Sequence, residues 1–172
     1  MSKLFIGISG KMGTGKSTIS HMLKAAFQDT GKVDIVSIAS PLYKAQSMLY
    51  TEYGLTVSGE KDRDLLITLG KWGRDKNPDF WVEQFAKSVI GSDSEIIICD
   101  DIRFKNEVAF FEERGFLFRL EGSQRGDNLD LSKASDPTEC ALDDYNFDNI
   151  IDNNKTPAEI CKEIAEILLK RS

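Results

Sequence analysis

Short apolar runs alternate along the chain with longer stretches in which apolar residues follow a helical spacing. Residues 3–9 form one such run, rich in β-branched residues, and residues 33–39 and 95–99 form two others. Shorter runs lie at residues 116–120 and 147–151. Continuous apolar runs of this length are typical of strands that are covered on both faces. The pattern therefore predicts a sheet of about five strands.

Helical spacing occupies the segments between these runs. Ile19, Met22 and Leu23 share one helical face, and Gly31 stands where a glycine commonly ends a helix. Further helices are predicted from Ser40, over 62–72, over 78–90 with Asn77 as a cap, ahead of Gly115, and from Thr156, where TPAE reads as a capping box. Strands that alternate with helices predict an α/β fold, with a mostly parallel sheet and helices on both faces.

A glycine-rich motif lies between the first predicted strand and the first predicted helix. Residues 10–18 read GKMGTGKST and match the pattern GxxxxGK[ST] through Gly10, Gly15, Lys16 and Ser17. In such a loop, backbone N–H groups at the positive end of the helix dipole surround phosphate oxygens. The motif predicts a P-loop NTPase fold with ATP and Mg²⁺ as cofactors. The residues assigned to the nucleotide are Lys11, Gly13, Thr14, Gly15, Lys16, Ser17 and Thr18.

Lys16 and Ser17 have separate chemical roles in this motif. The Lys16 ammonium places a positive charge on the β and γ phosphates, and the Ser17 hydroxyl is a ligand for Mg²⁺. Asp100 and Asp101 close the apolar run at 95–99. In P-loop enzymes an acid at such a strand end holds the magnesium, directly or through water. We therefore expect one of these two acids at the metal.

Composition and charge restrict the classes of protein that remain. The 172 residues suit a single domain over residues 1–172, with 41% hydrophobic and 29% charged residues. A net charge of −6 without a long basic block argues against nucleic-acid binding. No apolar run suits a membrane segment or a signal peptide. Cys99, Cys140 and Cys161 form no CxxC pair, which indicates a reducing, cytoplasmic setting.

The motif alone leaves the reaction open, because kinases, ATPases and GTPases share it. Arginines in the predicted loops and strand ends supply enough guanidinium groups to clamp a second substrate that carries phosphate. These arginines are Arg63, Arg74, Arg103, Arg119 and Arg125. Solvation at the surface is the alternative role for any one of them. As a set they favour a kinase with two phosphate-bearing substrates.

Three further stretches make the chain resemble phage-type deoxynucleoside monophosphate kinases, within the wider nucleoside monophosphate kinase fold. The first is ASPL at residues 39–42, followed by Lys44. The second runs from Arg63 through LG at 69–70 and GR at 73–74 to Trp81, and the third is DIRFKNE at residues 101–107. The resemblance covers most of the chain. It implies ATP-dependent phosphoryl transfer to a deoxynucleoside monophosphate in the cytoplasm, which is the host cytoplasm if the chain is viral.

The resemblance also implies roles for individual residues. Arg74 and Arg103 would contact the monophosphate, and Lys44 and Arg63 would line the acceptor side. Asp101 would be the better of the two acids for the metal.

The predicted catalytic residues are Lys16, Arg103 and Arg125. Trp81 is a candidate to pack beside the base of the acceptor. Its helical stripe with Phe85 and Val89 instead favours a place in the core.

The resemblance also implies an acceptor-binding region and a mobile lid. A helical region over about 40–92 would bind the acceptor, and a lid over about 122–144 would bring Arg125 to the transferred phosphoryl group. The lid departs from the family pattern. A histidine and a serine are expected before a glutamate, whereas this chain has Asp136, Thr138 and Glu139.

The chemistry of a phosphate acceptor suits a chain whose only histidine, His21, is expected to face solvent. The attacking oxygen of a monophosphate is already anionic near neutral pH, so no general base is needed. Two other functions stay open. One is a small-metabolite P-loop kinase for phosphomevalonate, dephospho-coenzyme A or a sugar acid, and the other is an ATPase or switch module that acts through a partner. Base and sugar preference and assembly into a homodimer also stay open.

Overall fold

The computed structural model describes residues 3–56, 61–123 and 140–170. Among these residues, no helix is both long enough and apolar enough to cross a bilayer. The main elements are β1 (Leu4–Gly10), α1 (Lys16–Phe27), β2 (Val33–Ile35), α2 (Ser40–Glu52), α3 (Arg63–Lys76), α4 (Phe80–Ile90), β3 (Ile96–Ile102), α5 (Lys105–Arg114), β4 (Gly115–Glu121), β5 (Ile150–Asp152) and α6 (Pro157–Lys170).

The strands form one five-stranded parallel sheet in the order β2-β3-β1-β4-β5. This confirms the predicted α/β class and the parallel sheet. β1 lies in the centre, where Ser9 is in register with Ile102 of β3 on one side and with Arg119 of β4 on the other. The strand order reverses at this point, and open α/β sheets bind ligands outside the carboxyl ends of the strands there.

Helices cover both faces of the sheet, as the alternation of elements predicts. On one face, the apolar side chains of α1 and α6 pack against Ile6 and Ile8 in a fully buried cluster. On the other face, the ring of Phe5 makes edge-to-face contacts with Phe110 and Phe111 of α5, with centroids 5.4 and 6.2 Å apart. These layers hold β1, and the loop that follows it, between two packed cores.

Local hydrogen bonds decide where several elements begin and end. α1 ends at Phe27 rather than at Gly31, because the backbone N–H and hydroxyl of Thr30 both donate to the Phe27 carbonyl, at 2.9 and 2.7 Å. The capping box at α6 is confirmed: the Glu159 carboxylate accepts from the Thr156 N–H at 2.8 Å. Asn77 caps a turn ahead of α4 instead, accepting from the Asp79 N–H at 3.0 Å.

Strand boundaries differ more from the prediction. β2 covers only Val33–Ile35 of the predicted 33–39, because it is an edge strand that pairs with β3 alone. β3 continues past the predicted end at residue 99 through both acids to Ile102. β5 is Ile150–Asp152 instead of residues 147–151.

By their contacts, the described residues divide into two units, which are the residues within Met1–Val36 with Asp93–Ser172 (unit 1) and those within Ser37–Ser92 (unit 2). Unit 1 contains the whole sheet. Unit 2 consists of α2, α3 and α4, which pack against one another. The Trp81 indole donates to the Gly70 carbonyl at 3.0 Å, and the Tyr50 hydroxyl donates to the Asp62 carboxylate at 2.7 Å. Unit 2 is therefore tied together by polar contacts as well as by its apolar face.

The junction between α5 and β4 generates a test of the fold. Gly115 follows the last residue of α5 directly and pairs with Phe5 of β1. A β-carbon on Gly115 would overlap the backbone carbonyl of Phe5, so Gly115→Ala must push β4 away from β1. We expect it to lower the free energy of unfolding by about 1–3 kcal/mol in urea denaturation. Gly91→Ala is the matched control, because its nearest atom would lie 3.7 Å away; equal stability of the two variants would contradict the close approach.

Candidate active site

The turn between β1 and α1 has the backbone shape of an anion cradle. Gly13 and Gly15 have φ values of +78° and +80°, in the left-handed region that favours glycine. Gly15 is the N-cap residue of α1, and no side chain in the part of the chain that the structure describes caps this helix. The N–H groups of the first turn are therefore not satisfied by a capping side chain, at the positive end of the helix dipole. This arrangement fits a bound phosphate chain.

Side chains of the loop stabilise it through hydrogen bonds to its own backbone carbonyls. The Lys16 ammonium donates to the carbonyls of Gly10 and Lys11, at 2.7 and 2.8 Å. The Thr14 hydroxyl, which is almost fully buried, donates to the Lys11 carbonyl at 2.8 Å. Lys16 is thus held across the cradle by its own loop, where a phosphate ligand would meet its charge.

A pocket at the carboxyl ends of the central strands collects charged side chains from three elements. Its lining includes Lys16 from α1, Asp101 from β3 and Arg119 from β4, together with Arg103. Three of these, Lys16, Asp101 and Arg103, are residues that the sequence assigns to the reaction. Arg119 was named only as one arginine among several. The pocket therefore combines three cations and one carboxylate beside the glycine-rich loop.

Glu107 fixes the backbone that carries Arg103, and sequence reasoning gave it no role of its own. One oxygen of its carboxylate accepts from the N–H groups of Arg103 and Phe104, at 2.6 and 3.0 Å. Only 6% of the residue is exposed. Burial raises the pKa of Glu107 to about 7, although the two N–H donors oppose the rise. The end of β3 and the start of α5 are thus joined by a buried cap.

Asp101 and Ser17 are the residues that fit a magnesium ion. Of the two adjacent acids, Asp101 lines the charged pocket, and its carboxylate accepts from the Cys99 thiol at 3.1 Å. Ser17 lies exposed in the first turn of α1. Across the described ranges, no three His, Cys, Asp or Glu side chains gather into a protein-only metal cage. A single carboxylate with a hydroxyl suits Mg²⁺, which takes its remaining ligands from phosphate and water.

A second pocket lies beside the glycine-rich loop, where α1 and α6 begin. It has a volume of about 310 Å³, which is at the lower end of the range for small-molecule sites. Asn153 is buried there and donates to the Ser123 carbonyl at 2.6 Å. Sequence reasoning missed Asn153 and Pro157, which no motif marks. The lining residues are Gly13, Thr14, Gly15, Thr18, Ile19, Asn153, Pro157 and Ile160.

Unit 2 has an aromatic groove with a volume of about 610 Å³. The ring of Trp72, which is half exposed, meets Phe80 edge to face at 5.6 Å, and Phe80 meets Trp81 at 4.9 Å. Lys44 also lines the groove. Trp81 is 9% exposed, so it belongs to the core of unit 2 and to the wall of the groove at once. We call this set the unit 2 groove.

Other predicted residues lie outside these pockets. Arg63 and Arg74 are exposed on α3 and are not among the residues that line the unit 2 groove. Lys11, assigned to the nucleotide, forms an ion pair with Asp143 at 2.5 Å. Arg125 lies outside the described residues, as do Asp136, Thr138, Glu139 and most of the predicted lid. Their roles stay predictions.

Comparison with known proteins identifies a family. The sequence model of a family described as "Phosphomevalonate kinase" matches residues 8–116, which is more than half of the chain. A viral protein, "Uncharacterized protein ORF76" of Ictalurid herpesvirus 1 (strain Auburn), is 26% identical over 147 residues, or 81% of this chain. The aligned stretch spans 56% of the length of that relative.

Solved structures share the fold at low sequence identity. TT1252 from Thermus thermophilus is 15% identical and has a TM-score of 0.62, over 99% of this chain and 98% of its own. Shikimate kinase from Aquifex aeolicus vf5 is 16% identical with a TM-score of 0.54, over 98% of each chain. A gluconokinase from Sinorhizobium meliloti 1021 is 14% identical with a TM-score of 0.55, over 97% and 94%. These likenesses confirm the P-loop kinase fold.

The buried cap generates a prediction about pH. The folded-state pKa of Glu107, about 7, is above the ordinary value of 4.5 for a glutamate carboxyl. Between pH 4.5 and pH 7, Glu107 keeps its proton in the folded chain and has lost it in the unfolded chain. The contribution of this group to the free energy of unfolding is therefore present at low pH and is lost as the pH rises through about 7. We expect the free energy of unfolding to fall by roughly 2–3 kcal/mol from pH 4.5 to pH 8, relative to Glu107→Gln, which imitates the protonated cap.

The measurement is metal-free urea denaturation of both proteins across this pH range. Subtracting the curve of Glu107→Gln removes the titration of all other groups. A difference that does not change with pH would contradict the raised pKa.

Proposed function

The chain belongs to the phosphomevalonate kinase family through its residues 8–116, and we propose that it is an ATP-dependent kinase whose acceptor is a small phosphate-bearing metabolite. The observation that carries this proposal is the charged pocket beside the glycine-rich loop. Lys16, Arg103 and Arg119 line it together with Asp101. Three cations beside one carboxylate suit the binding of phosphate groups, and Arg103 and Arg119 add positive charge to that of the loop lysine.

In this scheme the residues of the chain bind the donor and the acceptor and orient their phosphate groups for transfer. The loop N–H groups and Lys16 hold the β and γ phosphates of the donor, and Arg103 holds the acceptor phosphate. Ser17 and Asp101 would hold magnesium, which when bound supplies charge neutralisation on the donor phosphates. The pocket beside Asn153 accommodates the nucleoside of the donor. Glu107 keeps Arg103 in place, because its carboxylate fixes the Arg103 backbone at 2.6 Å.

A phosphate acceptor explains how such a pocket acts without a general base. Its attacking oxygen carries negative charge near neutral pH, so the reaction needs alignment of two phosphate groups and stabilisation of the dispersed charge. His21 is exposed on α1 and has no part in this scheme. Transfer to a hydroxyl acceptor would instead require a positioned base at the pocket.

Two acceptors are supported by separate observations. The family match supports phosphomevalonate, a small-metabolite acceptor. The unit 2 groove supports an acceptor with a planar ring, because Trp72, Phe80 and Trp81 offer aromatic surface for stacking. A deoxynucleoside monophosphate, the acceptor that the sequence resemblance implies, has such a ring. Lys44, which the resemblance assigns to the acceptor side, lines the same groove.

A panel of acceptors tests the proposal. ADP release from ATP and Mg²⁺ is followed with phosphomevalonate, all common dNMPs and NMPs, dephospho-coenzyme A, shikimate and gluconate. We expect release that depends on phosphomevalonate or on a nucleoside monophosphate. Release that depends only on a hydroxyl acceptor would contradict the phosphate-acceptor scheme. ADP release that needs no acceptor would instead support an ATPase or switch module.

Two substitutions separate the donor side from the acceptor side. Lys16→Ala removes the charge on the donor phosphates and should lower kcat by about 10²–10³-fold. Arg74→Ala should raise KM for the acceptor by about tenfold with a smaller change in kcat, if the role implied by the resemblance is correct. Lys76→Ala, in the last turn of the same helix, is the matched charge control. Wild-type kinetics of Arg74→Ala would remove Arg74 from the acceptor site.

A further inference from the structure

Arg119 is a charged residue in a place that normally excludes charge. It lies in β4 between Phe118 and Leu120, both buried, and is itself only 6% exposed. Arginine is almost never buried to this extent unless its charge is compensated. Its position in register with Ser9 puts it beside the start of the glycine-rich loop.

The partners of Arg119 leave its charge incompletely compensated. One terminal nitrogen donates to the Ser9 hydroxyl at 3.1 Å, and the guanidinium lies 5.3 Å from the centre of the Phe147 ring. The carboxylates of Glu121 and Asp143 are at 3.7 and 3.8 Å, beyond ordinary hydrogen-bond length. Its Nε is buried and donates to no acceptor within the described ranges. A buried guanidinium with these contacts is suited to a further anion.

The charged pocket shows where that anion would lie. Arg119 lines it together with Gly10, Lys16 and Arg103. The loop end and the Lys16 ammonium are the parts that bind a triphosphate in the proposed function. A donor phosphate held by the loop and Lys16 would therefore lie in the same pocket as the Arg119 side chain.

Asp143 already brings a carboxylate to this edge of the loop. Its two oxygens lie 2.5 and 2.6 Å from the Lys11 ammonium, and one of them is 3.8 Å from Arg119. Its neighbour Leu142 lines the charged pocket. The Asp143 side chain is 42% exposed, so its charge takes this position without the desolvation cost of a buried carboxylate. One internal carboxylate thus pairs with two cations that flank the site of the donor phosphates.

We propose that Arg119 is a further phosphate-binding residue of the donor site, and that Asp143 is an internal anion that pairs with Lys11 and Arg119 until the triphosphate displaces it. The inference rests on the proposed function only through the triphosphate site. When the triphosphate binds, its phosphate groups pair with the Arg119 guanidinium and the Lys11 ammonium, and the Asp143 side chain turns to solvent. Asp143 therefore competes with the nucleotide.

Binding measurements without an acceptor test this inference. We expect Asp143→Asn to lower the Kd of Mg-ATP by about fivefold, because a competing carboxylate is lost. Arg119→Met, which keeps an unbranched side chain but removes the charge, should raise the Kd of Mg-ATP by about tenfold or more. Isothermal titration of the full chain measures both, and circular dichroism checks folding. Inorganic tripolyphosphate is the second probe, and its affinity should change in parallel because the contact is with phosphate.

Asp144→Asn is the matched control, since it makes the same change in net charge one residue away. Equal effects of Asp143→Asn and Asp144→Asn, or weaker binding by Asp143→Asn than by wild type, would overturn the inference. So would wild-type affinity of Arg119→Met, or a change for ATP that tripolyphosphate does not share. If Arg119→Met does not fold, the comparison of the two aspartate variants decides. Absence of acceptor-dependent transfer, by contrast, contradicts the proposed function and leaves this inference intact.

Discussion

The parallel pairing of β1 with both β3 and β4 is the constraint on which the site depends. Ser9 lies opposite Ile102 on one side and Arg119 on the other, so three strands end at one edge of the sheet. The glycine-rich loop leaves β1 at this edge, and Asp101 and Arg119 arrive there from its neighbours. Residues separated by more than a hundred positions thus meet without any local signal. Packing of both faces by helices keeps these ends in register.

Local chemistry is the part of this molecule that could be predicted from the sequence. The spacing of Gly13, Gly15 and Lys16 dictates the loop because only glycine takes the left-handed backbone at no steric cost. The capping box at Thr156 is equally local. The end of α1 was missed because a single Thr30 hydroxyl outweighs the glycine four residues after Phe27. Asn153 and Asp143 were missed, and Arg119 was named only as one arginine among five, because only the tertiary fold brings them to the loop.

Two buried ionisable side chains lie at the candidate site. Glu107 is a buried carboxyl whose protonation is favoured by burial, and Arg119 is a buried guanidinium whose Nε has no acceptor among the described residues. Each costs stability in the folded chain. Glu107 holds the backbone of Arg103, and Arg119 lines the charged pocket with Gly10 and Lys16. The local cost is therefore of the kind expected where a structure is organised for a ligand rather than for stability.

In the proposed function, the donor is bound mainly by the glycine-rich loop and the ring of the acceptor by unit 2, which explains why the donor is easier to identify. The cradle is built from backbone N–H groups and one lysine, and its motif fixes the spacing of the glycines, the lysine and a hydroxyl residue. The unit 2 groove is built from side chains such as Trp72 and Lys44, and many combinations of such residues make an apolar wall with a cation. The family match covers residues 8–116 and therefore includes the unit 2 groove, so phosphomevalonate and a nucleoside monophosphate are alternative acceptors for one region of the chain. The two kinds of acceptor differ in whether they carry a planar ring that can stack against Trp72, which lines the unit 2 groove.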